Sequence, residues 1–446
     1  MFKRILIANR GEIALRIIRA CRELNIECVS VYSTADKNSI HRKMADKSIC
    51  IGPPQPVKSY LNIDNLITAA QITNCDALHP GYGFLAENDQ FVNICHDNDI
   101  TFIGPPAEVI ALAGNKSKAI EMMNKNKIPV IPGSNGNIKD IKSAAKLCQR
   151  LGYPVIIKAA FGGGGDRIRI CHNKKDLFEF YPIAKSESEK AFGAGEIYIE
   201  KYISKPRHIE FQIIADNYGR TICVGERECS IQRRHQKLIE EAPAVNLPPK
   251  LSRLMREFAV RAARAIDYKN LGTIEFLLDE NNNFYFIEIN TRIQVEHPVT
   301  EVVTGMDLIK EQIRIASGGR INNHKDHYFP RGHAIEFRIN AEDPQNDFAP
   351  SPGKITGSFL PGGPGVRVDT FIGPNSEISP FYDSLLAKLI IWENDRKSAI
   401  ARAVRALDEF KIEGVRTTIP FHKRILANKK FIKGQIHTHF IEEEFK

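Results

Sequence analysis

Glu275, Glu288, Asn290, Arg292, Gln294 and Glu296 all fall within one stretch, EFLLDENNNFYFIEINTRIQVEHPVTE, residues 275–301. Their side chains are the kinds that hold metal ions, grip small anions and move protons. The two apolar runs flanking Asp279 to Asn283 alternate as strands do, and Asn281 and Asn282 tolerate the positive φ of a tight primed turn. A two-residue turn there sets Glu275 directly across from Glu288, with Cβ atoms about 4.5–5.5 Å apart, a spacing at which two carboxylates destabilise a sheet unless a cation lies between them. Hard oxygen ligands from Glu275, Glu288 and Asn290 suit Mg²⁺, or Mn²⁺ in its place, and Mg²⁺ usually shares its coordination with substrate phosphates. A period of two puts Glu288, Asn290, Arg292, Gln294 and Glu296 on one face and Ile287, Ile289, Ile293 and Val295 on the core side. A merely solvated sheet face would explain any single glutamate here, but not two acids in register followed by this mixture of types.

The rest of the chain must position that stretch. Lys3 to Ala8 reads as a buried strand; Asn9, Arg10 and Gly11 follow, then a helical period through Ile13, Ile17, Ile18 and Leu24, then a second strand from Cys28 to Tyr32. Strand, helix and strand in quick succession predict a parallel sheet covered by helices. The lone glycine of the first turn does not make a dinucleotide fingerprint, and GNKS before the helix that contains Lys116 is not a phosphate loop, because its Gly-Lys pair is broken. HPGYGFLAEN, His79 to Asn88, is a glycine-rich loop leaving a strand end, a place where function and plain turn chemistry compete.

A compact segment of about 131–204 has its own strands and centres on KAAFGGGGDRIRI. Gly162 to Gly165, with Lys158 before them and Arg167 and Arg169 after, suggest a flap over phosphates. The strands EIYIEKYI and RHIEFQIIAD carry Glu200, Lys201 and His208. Gln232, Arg234, His235 and Lys237 alternate poorly for a buried strand and read as a basic exposed loop. Residues 250–266 form an amphipathic helix with Leu251, Leu254, Met255, Phe258, Ala262 and Ile266 inward. GHAIEFRINAEDP alternates, with Glu336, Arg338 and Asn340 opposite Ile335, Phe337 and Ile339, and reads as the start of a last domain. Helical patterns near 396–410 and 418–428 close the chain.

At 446 residues, with 43% hydrophobic and 26% charged side chains, the sequence has material for two or three domains. No apolar run approaches membrane-spanning length and MFKRILIANRGEIALR lacks a signal peptide's pattern, so the expected compartment is the cytoplasm. Nine cysteines without a C-x-x-C pair suggest neither a disulfide framework nor a zinc site. The formal charge of +9 comes from dispersed Lys and Arg, which fits anionic small substrates and gives no sign of nucleic acid or membrane binding.

IANRGEIA, HPGYGFL, RRHQK, FYFIEINTRIQVEHPVTE, GHAIEFRINAEDP and SPGKI, in this order and spacing, resemble the biotin carboxylases of the ATP-grasp superfamily along essentially the whole chain. The resemblance implies an α/β and α+β multidomain protein: a Rossmann-like domain at 1–114, an ATP-grasp domain at 115–326 with a mobile lid at about 131–204, and a C-terminal biotin carboxylase domain at 327–446. It assigns ATP to Lys116, Lys158, Gly163, Gly164, Gly165, Glu200, Lys201, Ile203, His208, Gln232 and His235, and metal ions to Glu275, Glu288 and Asn290. Bicarbonate falls to Lys237, Arg292, Gln294, Val295 and Glu296, with Glu296 as the base, and the ureido oxygen of biotin to Arg338. No Met-Lys-Met biotin-acceptor motif occurs, so biotin is expected on a biotin carboxyl carrier protein in trans. Carboxyltransferase subunits are the further partners, acetyl-CoA carboxylase the first expectation, and pyruvate or propionyl-CoA carboxylase the alternatives. Another ATP-grasp ligase, making carbamoyl phosphate or an acyl phosphate, would share the metal carboxylates but lack RIQVEHP and Arg338; a nucleotide sensor would need no base at Glu296. A homodimer is implied too, with Arg19 and Glu23 at the contact and Pro364 where an aromatic residue is usual, a loss of about 1.5–3 kcal/mol of apolar burial.

The flap departs from the family pattern. Asp166, Arg167, Ile168 and Arg169 stand where Arg-Gly-Met-Arg is usual, and Phe161 replaces a glycine. An acid facing a triphosphate at roughly 6 Å, at an effective dielectric near 20, costs about 2–3 kcal/mol per phosphate charge, so Asp166 should turn to solvent or to Arg167, or ATP binding should suffer. Placing Arg at 166 and Gly at 167 tests which. A KM for ATP lowered tenfold or more, about 1.4 kcal/mol, means that the acid faces the phosphates, and an unchanged KM means that it does not.

Overall fold

RILI and ECVSVY are short segments whose interior residues are buried on both faces, and in the computed structural model they lie side by side in a parallel sheet. The structure describes all residues except 135–137, 160–168, 193–196, 322–329, 374 and 446. The first sheet comprises β1 (Arg4–Ile7), β2 (Glu27–Tyr32), β3 (Lys47–Cys50), β4 (Ala77–His79) and β5 (Thr101–Phe102), in the order β3-β2-β1-β4-β5. Helix α1 (Gly11–Glu23) packs Ile13, Ile17 and Ile18 into its core. The strand order reverses between β1 and β4, and ligands of open parallel sheets bind outside such a point. Two loops meet there: Asn9 Nδ2 donates to the carbonyls of Pro80 and Tyr82, both at 2.7 Å.

Past α2 (Lys116–Lys125) a smaller body is built from α3 (Ile141–Leu151), β6 (Val155–Ala159), β7 (Arg169–Cys171), α4 (Lys174–Phe192) and β8 (Ile197–Lys201). Its antiparallel sheet has the order β7-β6-β8, and Leu147, Val155, Ile157, Leu177 and Ile199 give it a core of its own. Phe161, Gly162 to Gly165, Asp166, Arg167 and Ile168 lie outside the described residues. Arg169 is described, and its guanidinium pairs with Glu187 at 2.6 Å.

The remaining strands form one sheet of eight: β9 (Arg207–Ala215), β10 (Thr221–Arg233), β11 (Gln236–Ala242), β12 (Asn270–Leu278), β13 (Phe284–Asn290), β14 (His333–Asn340), β15 (Val366–Thr370) and β16 (Leu385–Glu393), in the order β13-β12-β9-β10-β11-β14-β16-β15. Under one half, α5 (Pro249–Ala265) packs Met255 and Ala259 against Phe211, Phe276 and Phe286. Leu254, expected inward, is 43% exposed instead. The opposite face is covered by α6 (His297–Thr304), whose Val299 and Val303 touch Ala334 and Ile390. Under the other half, α7 (Arg396–Glu409) covers Ile335, Phe337, Ile339 and Leu389. β14, read from sequence as opening a separate domain, pairs directly with β11.

The hairpin at the centre differs from its sequence reading in an instructive way. Asp279 N donates to Asn283 O, so the loop is Glu280, Asn281 and Asn282, with Asn282 alone at positive φ, +63°. A three-residue loop shifts the register by one relative to a two-residue one, yet Glu275 still faces Glu288. A bulge between Glu275 and Phe276 restores the alignment by leaving Ile287 without a partner, which takes Ile287 out of the core while Phe286 and Ile289 stay in it. The strand also ends at Asn290; Gln294 to Glu296 arrive on a turn that runs into α6. The two-residue primed turn occurs elsewhere, at Arg234 and His235, with φ of +49° and +63° between the paired Arg233 and Gln236. RRHQK is thus a hairpin tip with Gln232 buried in β10, and not a loose basic loop. Because a non-glycine residue in the left-handed region costs about 1–2 kcal/mol, least for Asn, Asn282→Val should lower the urea midpoint by that equivalent at unchanged slope, whereas Asn282→Gly should leave it within about 0.5 kcal/mol.

Candidate active site

A cavity of about 710 Å³ opens where the loops after β1 and β4 meet the polar face of the eight-stranded sheet. Asn9 to Ile13 and Tyr82 to Phe84 form one wall, and Lys237, Glu275, Glu288, Asn290, Arg292, Gln294, Val295 and Arg338 form the floor. Residues 381–385, a segment without a role in the sequence reading, close a third side.

At its centre is the ammonium of Lys237, bonded to Glu210 at 2.7 Å, Glu275 at 3.0 Å and Glu296 at 2.7 Å. Glu210 comes from β9, Lys237 from β11, Glu275 from β12 and Glu296 from the residue before α6. Beneath them Arg227, wholly buried on β10, pairs with Glu210 and donates to Gln212 and Thr300 at 2.8 and 2.9 Å. Burial works against every one of these charges, but mutual attraction outweighs it. Lys237 is raised well above its ordinary pKa by its three carboxylates, while Glu210, Glu275 and Glu296 are held below theirs, Glu275 and Glu296 chiefly by Lys237 and Glu210 chiefly by Arg227.

At one end lie residues expected from the sequence to hold metal and nucleotide. Glu275 is contacted by His208 at 2.7 Å, by the Asn290 amide at 2.8 Å and by the Gln294 amide at 3.1 Å. Lys116 pairs with Glu288 at 3.2 Å. Lys158 pairs with Glu200 at 2.6 Å, and Gln232 is 2.8 Å from His208 Nδ1. His235 lines the cavity from its hairpin tip. Lys201 turns its ammonium to the carbonyls of Gly152 and Tyr153, and Ile203, half-buried, lies just beyond β8; Gly163, Gly164 and Gly165 lie outside the described residues.

The acids that face across the hairpin, Glu275 and Glu288, each hold a cationic side chain, so an oxygen-rich donor set for Mg²⁺ exists with its charge provisionally balanced. His208, Glu210 and Glu275 lie close enough to share an ion, as do Glu210, Cys229 and Glu296. Lys237 already occupies the space between Glu210, Glu275 and Glu296, which leaves the Glu275, Glu288 and Asn290 side as the better fit.

The other end is built on Arg292, Gln294, Val295, Glu296 and Arg338. Arg292 donates to Glu87 at 3.0 Å and to the Gln294 side-chain oxygen at 2.8 Å. The carbonyl of Val295 accepts from Lys388 at 2.9 Å, and Lys388 also pairs with Glu12, which accepts from the Tyr82 hydroxyl. Arg338 is held through Nε by Glu240 at 2.6 Å and through its terminal nitrogen by Glu296 at 2.8 Å. Arg338 forms no ion pair with Glu336, its neighbour on the same face of β14. Glu87, Glu210, Arg227, Glu240 and Lys388 escaped the sequence reading. The period of two would have flagged Glu210, Gln212 and Arg227 as polar side chains on strands otherwise buried on both faces.

Fold and site together define an ATP-grasp enzyme. Residues 115–324 match the family model described as the carbamoyl-phosphate synthase L chain, ATP binding domain, residues 1–110 the biotin carboxylase N-terminal domain and residues 336–443 the biotin carboxylase C-terminal domain. A biotin carboxylase from Nostoc sp. is 54% identical over 99% of both chains. A pyruvate carboxylase subunit from Methanothermobacter thermautotrophicus is 53% identical over 99% of this chain and 90% of that one. A crystal structure of the biotin carboxylase domain dimer of Hydrogenobacter thermophilus 2-oxoglutarate carboxylase, in complex with MgADP, ADP and bicarbonate, superposes with a TM-score of 0.94 at 48% identity over 99% of this chain and 98% of that one. The chain belongs to the biotin carboxylase family of ATP-dependent ligases.

Removing one partner of a buried ion cluster costs about 3–5 kcal/mol, so Lys237→Met should destabilise the protein by that much near neutral pH. The sign of its pH dependence is distinctive. In the parent, Glu275 and Glu296 have lowered folded pKa values, and their contribution is present above the ordinary carboxylate range and lost as pH falls through it. In the variant the stranded carboxylates should titrate high, so protonation on acidification restores stability. The deficit measured by chemical denaturation should therefore shrink between about pH 8 and about pH 5.

Proposed function

We propose that this protein carboxylates biotin borne by a separate carrier protein, using ATP and bicarbonate through carboxyphosphate, as the first half-reaction of acetyl-CoA carboxylase. The observation that supports the reading is the array Lys237–Glu296–Arg338, in which one buried carboxylate is shared by two cations that line the same cavity as Glu275, Glu288 and Asn290. A second reading, in which a 2-oxo acid is the final acceptor, is favoured by the similarity to the Methanothermobacter pyruvate carboxylase chain.

Glu275, Glu288 and Asn290 would hold Mg²⁺, which, when bound with ATP, neutralises phosphate oxygens and favours transfer of the γ-phosphoryl group. Lys116 and Lys158 then leave their carboxylates for the phosphates, while His208, Gln232, His235, Glu200, Lys201 and Ile203 line the nucleotide's place. Bicarbonate sits against Lys237, Arg292, Gln294 and Val295. Glu296, ionised in the resting site because Lys237 and Arg338 outweigh its burial, takes the bicarbonate proton. Bicarbonate draws Lys237 toward itself, which loosens that cation's hold on Glu296 and makes the carboxylate more basic. Arg338 puts a charge that cannot be lost to deprotonation beside the ureido oxygen, where negative charge grows as the nitrogen gives up its proton.

The proposed assembly includes the biotin carboxyl carrier protein and carboxyltransferase subunits, with the cytoplasm as the compartment; eight of the nine free thiols are buried, and no helix among the described residues is long and apolar enough to cross a membrane. A homodimer is supported by the dimeric Hydrogenobacter structure and by the hollow of about 360 Å³ lined by Arg16, Arg19, Glu23 and Arg367. Glu296→Ala should abolish biotin-dependent ATP turnover while leaving ATP affinity within about threefold, because the base acts on bicarbonate. Arg338→Ala should cut carboxyl transfer to biotin while bicarbonate-dependent ATP cleavage persists. Assays of phosphate release with and without biotin separate the two, and an equal loss of both activities in both variants would sink the division of roles.

A further inference from the structure

Glu240 and Glu336 stand directly opposite one another on the paired strands β11 and β14, and both are 0% exposed. Both oxygens of Glu336 and one of Glu240 have no hydrogen-bond partner. Opposed residues on a sheet have Cβ atoms about 4.5–5.5 Å apart, where two full negative charges sealed from water repel strongly. The cations around them relieve it only in part. Arg338 on β14 is shared between Glu240 and Glu296, and Lys237 on the same strand as Glu240 is already committed to three other carboxylates. Lys388, opposite Arg338 on β16, is engaged by Glu12 of α1 and the Val295 carbonyl and faces Asp369 of β15. His297 at the start of α6 is kept neutral by burial and by Lys388, and Cys229 on β10 is kept as a thiol by burial.

From this geometry we infer that Glu240 and Glu336 share one proton, as a positioning pair that holds Arg338 in place with one negative charge instead of two. The inference rests on the reaction proposed above. Burial pushes Glu240 up to about 7 and Glu336 well above the ordinary carboxylate range, which agrees with one retained proton. With both acids ionised, Arg338 would face three carboxylates and have little positive charge left for an anion forming on the ureido oxygen. With one proton kept, the pair contributes a single negative charge. Glu296 becomes neutral on accepting the bicarbonate proton, so the excess negative charge around Arg338 is removed at the step that needs it.

Infrared difference spectroscopy on the unliganded protein reads the proton directly. An un-ionised carboxyl band should be present near neutral pH, fade as pH rises, and vanish in Glu336→Gln; Glu240→Gln serves for the same reading should the first variant fail to fold. Absence of the band in the parent, or its survival in the glutamine variant, overturns the inference whatever the reaction turns out to be. In steady-state assays the rate of biotin carboxylation should fall on the alkaline side in the parent, and in Glu336→Gln that fall should move up by about one pH unit or more. ATP cleavage with bicarbonate alone should stay within about twofold. An alkaline limb at the same pH in both proteins, or parallel loss of both activities, also overturns it.

Discussion

One ammonium group among three buried carboxylates sets the terms for this site. An ion stripped of water costs several kcal/mol, and Lys237, Glu210, Glu275 and Glu296 can be charged at that depth only because each supplies the others' missing partner. The condition is geometric, since β9, β11, β12 and the turn before α6 must deliver their side chains to a single point. Arg227 supports the cluster from the strand between, its guanidinium spread over Glu210, Gln212, Thr273 and Thr300. Such a set is poised for ligands that replace one ion pair by another: a phosphate, a metal or a bicarbonate can take over a partner without leaving a bare charge behind.

The first sheet contributes by a different route. Its central strands are buried on both faces, and it meets the cavity through two loops at the point where the strand order reverses. Asn9 ties those loops together, and Glu87, at the end of the second, reaches across to Arg292 and the backbone of Thr291. Arg292 is thereby oriented by a residue 205 positions earlier in the chain. No periodicity within either segment carries that information.

This is where reading the sequence succeeded and where it could not. Alternation identified the polar faces of β13 and β14, because a strand with core on one side must repeat every second residue. It also set Glu275 against Glu288, although through compensating errors: the loop is one residue longer than expected, and a bulge at Ile287 absorbs the difference. A bulge has no compositional mark in FYFIEIN. Gln232 and Lys237 were misread as an exposed loop because Arg234 and His235 are not typical turn residues, and only their paired positive φ reveals the hairpin. Glu240 and Glu336 sit beside the recognised residues, but their pairing depends on which strands become neighbours, and a strand about a hundred residues away decides that.

The sheet that joins β11 to β14 has one more consequence. Family boundaries fall between residues 324 and 336, yet ladder bonds run straight across that divide. A fragment ending there would present β11 as a raw edge, with its row of amides and carbonyls ready to recruit any extended chain, and the fragment beginning there would carry β14 with the matching edge. Cleavage into two pieces would give sticky partners that seek each other or aggregate, not two independently soluble modules. Glu296 and Arg338, joined by an ion pair in the intact chain, would part company at that seam.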